Sequence, residues 1–124
     1  MRRPQVLEAA LPEYDAKCFI AMRYWHPFAD AAARAARDFA PDEVLLLPLY
    51  PQYSTATTRS SVKAWRAAYR GPGRVREVCC YPAEPNFVQA HADLIAAALK
   101  AHKHPMKVLF SAHGLPEKTI ATGD

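Results

Sequence analysis

Apolar residues fall along this chain in short runs and stripes that alternate between two periods, and the alternation predicts the order of elements. Val6, Leu7 and Leu11 line one side of a short helix that Pro12 ends. Lys17 to Tyr24, with Cys18, Phe19, Ile20 and Met22, has the near-continuous apolarity of a strand covered on both faces. Pro27 then opens a helix from about Phe28 to Phe39, whose inward stripe is Phe28, Ala32, Ala35, Ala36 and Phe39. Glu43 to Leu49 is the clearest strand, because Val44 to Leu47 run without interruption between Asp42 and Pro48. A third helix is expected to about Tyr69 after the loop Tyr50 to Thr58, and Gly71-Pro72-Gly73 ends it. Val75 to Cys80 reads as an edge strand. Asn86 is the expected cap of a helix to about Ala101, with Phe87, Leu94, Ile95 and Ala98 inward, and Lys107 to Ser111 is the last strand.

Strands and helices in this order predict the α/β class: a mainly parallel four-stranded sheet with helices on both faces, formed by residues 1–124 as a single α/β domain. In such a sheet the strand ends share one rim. Arg23-Tyr24-Trp25-His26, Tyr50-Pro51-Gln52-Tyr53-Ser54, Tyr81-Pro82 and His113-Gly114-Leu115 would therefore gather there.

Composition narrows the classes. Hydrophobic residues at 51% and charged residues at 23% are too apolar for a disordered chain. No run approaches the length of a membrane span, and Met1-Arg2-Arg3-Pro4 begins no apolar signal core, so the expected compartment is cytoplasmic. The three cysteines, two of them adjacent, make no disulfide framework. A net charge of +4 admits an anionic partner. Neither G-x-G-x-x-G nor a P-loop occurs, so a dinucleotide or P-loop phosphate site has no anchor. Charge alone does not choose between nucleic acid, lipid and a small polycarboxylate, and no nucleic-acid partner is expected. Rim aromatics offer stacking surface and Arg23 a fork of donors for a carboxylate, which together suit a large, flat, anionic ligand.

Three segments carry a resemblance to a known family. Arg23-Tyr24-Trp25-His26-Pro27, Tyr50-Pro51-Gln52-Tyr53-Ser54 and above all Ser111-Ala112-His113-Gly114-Leu115-Pro116-Glu117-Lys118 resemble ferrochelatase, in the family's order and at similar separations. The resemblance implies a chelatase-like, flavodoxin-like three-layer sandwich and an incomplete half of a two-domain enzyme, this chain matching the later part of the first half. It implies insertion of ferrous iron into a porphyrin, protoporphyrin IX or coproporphyrin III, in heme biosynthesis. His113 then matches the active-site histidine, as metal ligand or proton acceptor, and Arg23, Tyr24 and Tyr50 match positions facing the macrocycle or the metal route. The implied partners are porphyrin, ferrous iron as substrate, and the missing C-terminal half, without which the isolated chain is expected to be inactive. No cofactor is required on this reading.

Some ferrochelatases carry a two-iron two-sulfur cluster. Here Thr55 stands at one ligand position of the animal enzymes, and Cys79 and Cys80 lack further cysteines nearby, so no cluster is expected in this chain. Two other readings compete. A stand-alone small chelatase for corrin-type tetrapyrroles would need His26 as a second rim histidine. A non-enzymatic tetrapyrrole-binding domain would use His113 as a polar or axial contact. The stripe Arg59, Lys63, Arg66 and Arg70 reads as a solvated helix face, with peripheral contact to acidic lipid or a partner as its alternative, and Trp65 opposite it reads as core. His91 is expected at the core boundary, and His102 and His104 in solvent.

Overall fold

The structure is a computed structural model that describes residues 3–102, 104–112 and 114–121. Helix α1 spans Arg3–Ala9, α2 Ala29–Phe39, strand β1 Glu43–Leu46, α3 Ser60–Ala68, β2 Arg74–Glu77, α4 Pro85–Lys100 and α5 Glu117–Ala121. A π-helical turn, Thr55–Arg59, runs directly into α3.

The sheet has two strands, and this corrects the expected four-stranded, three-layer architecture. β1 and β2 pair in parallel, Val44 opposite Val75 and Leu46 opposite Glu77. Parallel partners in register share a face, so Val44 and Leu46 point to α2 and α3, where they pack on Ala32, Ala33, Ala36, Trp65 and Tyr69. Leu45 points the other way and is 57% exposed, so helices do not cover both faces. The same five residues make the buried hydrophobic core among the described residues.

Neither of the other two expected strands forms. Within residues 17–24, the backbone N–H of Cys18 donates to the Glu8 carboxylate at 2.7 Å, so a side chain occupies a ladder position. Only an isolated bridge, Met22 to Phe28, resembles sheet pairing. Residues 107–111 contain no strand, and Leu109 and Phe110 are 89% and 85% exposed. Apolarity registers a wish for burial; it does not supply the neighbouring strand that satisfies N–H and C=O groups.

Helix α2 buries Ala32, Ala33 and Ala36, while the expected Ala35 is exposed. It ends at Ala40, whose φ of 54° and ψ of 55° are left-handed, with its N–H on the Arg37 carbonyl at 2.9 Å. Between α3 and β2 the Tyr69 hydroxyl donates to the Pro72 carbonyl at 2.5 Å. Gly73, at φ +88°, enters β2 where a Cβ would collide with the Pro41 carbonyl. Helix α4 is capped by Glu84, whose carboxylate accepts from the Phe87 N–H at 2.7 Å, and not by the expected Asn86. Asn86 instead donates to that carboxylate at 3.1 Å. Pro85 fills the first helical position, where no N–H is needed. Nothing in α4 is buried, so Leu94 and Ala98 are outward, contrary to expectation.

Candidate functional site

Parallel pairing sends the loops after β1 and β2 off the same edge. Prolines at 48 and 51 can offer only carbonyls, and Tyr81 takes both. Its N–H donates to the Pro51 carbonyl and its hydroxyl to the Pro48 carbonyl, each at 2.8 Å. The Tyr81 ring also meets the Phe87 edge at 5.6 Å, which anchors the start of α4. The expected convergence at one rim therefore holds for these two loops.

At the end of the first loop, the Ser54 hydroxyl accepts from the Ala56 N–H and its carbonyl from the Arg59 N–H, both at 3.2 Å. The second bond closes the wide ring of the π turn, which delivers Ser60 at the head of α3. Arg23 meets it there. The Arg23 Nε donates to the Ser60 Oγ at 2.7 Å, and the guanidinium carbon lies 5.0 Å from the centre of the Tyr24 ring. Stacking of a cation on an exposed ring contributes about 0.5–1 kcal/mol. Arg23 also lines a concavity of about 330 Å³ with Met22, Phe28, Asp30, Ala64 and Ala68. The Asp30 carboxyl in that wall is held below its usual range, first by the hydrogen bond from Arg34 at 3.0 Å.

Of the residues expected from sequence, Arg23 and Tyr24 are thus brought together, with Tyr24 74% exposed. Tyr50 lies in the loop after β1, 65% exposed, and lines neither this concavity nor a second one. His113 lies outside the described residues, as does Asp124. His26 packs edge-on against Phe28 at 4.4 Å and Trp25 at 6.1 Å. His91 is exposed, not at a core boundary, with Nδ1 2.8 Å from the Phe87 carbonyl. His102 and His104 are exposed, as expected.

The second concavity, about 310 Å³, lies between α3 and the end of β2 and is lined by Tyr53, Arg59, Lys63, Arg66, Glu77 and Cys79. Its charge is partly spent, because Arg66 bridges Glu77 at 2.9 Å; Arg70, outside this lining, donates to the Arg66 and Tyr69 carbonyls at the end of α3. Cys79 and Cys80 are adjacent, exposed free thiols. The neighbouring Cys80 thiol first, then desolvation and the nearby charges of Cys80 and Glu77, hold the Cys79 thiol above its ordinary value. Among the described residues no group of three or more His, Cys, Asp and Glu side chains is arranged to hold a metal ion.

Sequence reasoning missed Ser60, the π turn and Tyr81 as a tie. Ser54 and Thr55, ahead of a helical stripe, carried the signal of a cap. Nothing local announced that Ser60 would face Arg23 across the fold.

These features define a parallel α/β unit whose strand-end loops present aromatic rings, with Arg23 brought from the segment before α2 against the head of α3. The family model described as ferrochelatase matches residues 2–124, and the chain belongs to the ferrochelatase family. It is 54% identical over 126 residues to a ferrochelatase of Phenylobacterium zucineum, covering 97% of this chain and 37% of that protein. It is 53% identical to a ferrochelatase of Caulobacter vibrioides, with 99% and 37% covered, and 52% identical to one of Hyphomonas neptunium, with 95% and 33% covered. The chain therefore spans about a third of the length of these relatives.

Proposed function

We propose that this chain forms the histidine-bearing wall of a cleft that inserts ferrous iron into a porphyrin, and that it acts as one α/β unit of a longer polypeptide in the cytoplasm. The family match, which runs through the Ser111 to Lys118 motif, is the observation that carries this reading. The reaction places Fe(II) in the macrocycle and releases two protons from pyrrole nitrogens. A neutral imidazole at His113 suits either part of that work, since it binds first-row divalent metals and accepts protons near neutrality. Arg23 supplies donors for a porphyrin carboxylate, and the exposed Tyr24 and Tyr50 rings supply stacking surface. The opposing wall of the cleft belongs to the rest of the polypeptide.

Complementation tests this division. Porphyrin binding is read by fluorescence quenching and insertion by the product's absorption, with Fe(II) or Zn(II), for this chain alone and mixed with the remainder of a relative. Binding without insertion, with insertion restored by the mixture, is expected. Insertion by the chain alone at the rate of the mixture would overturn the division.

A further inference from the structure

Three features of the Arg23 geometry fit together. Its Nε–H is committed to the Ser60 Oγ at 2.7 Å, a partner 37 residues away in the chain. Its plane is steadied by the Tyr24 ring, 5.0 Å from the guanidinium carbon. Ser60 is fixed in turn, because it follows the π turn closed on Ser54 and begins α3, whose Trp65 is anchored in the core.

A guanidinium has three donor edges, and a bond at Nε leaves the end-on edge, one N–H from each Nη, as the paired fork that matches a carboxylate. An arginine held at Nε and on one face loses less rotamer freedom when an anion arrives. Lysine in its place would offer neither the fork nor the Nε donor. We infer that Ser60 is a positioning residue: it aims the end-on edge of Arg23 at a carboxylate of the tetrapyrrole, and so sets selectivity for carboxylated over esterified macrocycles. This rests on the function proposed above and names the residue that gives its arginine a direction.

The test compares the protein in its natural full length with Ser60→Ala and Ser60→Thr. Each is titrated with a free-acid porphyrin and with the corresponding methyl ester, and insertion is followed with Zn(II). Ser60→Ala is expected to weaken free-acid binding roughly 3- to 10-fold, the scale of one hydrogen bond. Binding of the ester should stay within about twofold and kcat should change less than KM. Ser60→Thr, which keeps the hydroxyl, should restore most of the free-acid affinity. Equal losses for acid and ester, or no loss, would overturn the role of Ser60 while leaving the porphyrin reading intact. A parent protein that binds neither macrocycle would overturn both. Unchanged far-UV circular dichroism and urea midpoint in Ser60→Ala separate an aiming defect from a folding defect, and a midpoint that falls with both affinities would mark Ser60 as structural.

Discussion

Replacing Trp65 gives the sharpest test of how the unit holds together. The side chain is 6% exposed, stacks on Tyr69 with ring centres 5.2 Å apart and planes at 17°, and contacts the alanine face of α2. An aromatic side chain of this kind buries about 150–250 Å², which at about 25 cal/mol per Å² is about 4–6 kcal/mol. Stacking adds about 0.5–1.5 kcal/mol. Against this, the buried indole N–H has no partner among the described residues, a defect costing about 1–3 kcal/mol. The net stabilisation centres on about 4 kcal/mol, so Trp65→Ala should lose about 3–5 kcal/mol. Trp65→Phe keeps a ring on Tyr69 and removes the stranded donor, and the two changes offset to leave it within about 1 kcal/mol of the parent. Urea unfolding followed by far-UV circular dichroism, with m unchanged, reads both. If Trp65→Phe loses as much as Trp65→Ala, the indole N–H is bonded and this account of the core is wrong.

Three smaller effects follow from other local geometries. Ala40→Gly should raise stability by about 0.5–1 kcal/mol in the same assay, because the left-handed strain on alanine exceeds the extra freedom glycine brings to the unfolded chain; a lower midpoint would contradict the cap. Glu84→Ala should cost about 1 kcal/mol and fray the first turn of α4, seen as faster amide exchange at Phe87, whereas Asn86→Ala should cost less; the reverse order would restore Asn86 as the cap. The neighbouring thiol raises the Cys79 value, so Cys80→Ala should lower it and enlarge the thiolate fraction below that value. Alkylation of Cys79 at about pH 8 should then quicken, and an unchanged rate would show that the two thiols do not interact.

The parts of this fold legible in sequence are those fixed by a few consecutive residues. Val44 to Leu47 announced β1, the alanine spacing announced α2, and Gly71-Pro72-Gly73 marked the end of α3. Strand length was overread at Leu47 to Leu49 and at Val78 to Cys80, where apolar residues continue past the ladder. Lys17 to Tyr24 and Lys107 to Ser111 carry the composition of buried strands, yet a strand exists only with a neighbour, and neighbours are not a local property. The site divides the same way. Arg23 and Tyr24 were visible as a cation and a ring at a predicted strand end, whereas the bond from Arg23 to Ser60 depends on how the π turn and α3 dock. His113 is singled out by its surrounding motif alone and lies outside the described residues.

If His113 does chemistry in a chelatase cleft, its loss must show in single-turnover metal insertion. In the natural full-length protein, His113→Ala should bind porphyrin with nearly the parent affinity but insert Fe(II) about 10²–10⁴-fold more slowly, the range for loss of a positioned acid–base group. Insertion at the parent rate, with binding intact, would exclude His113 from the reaction.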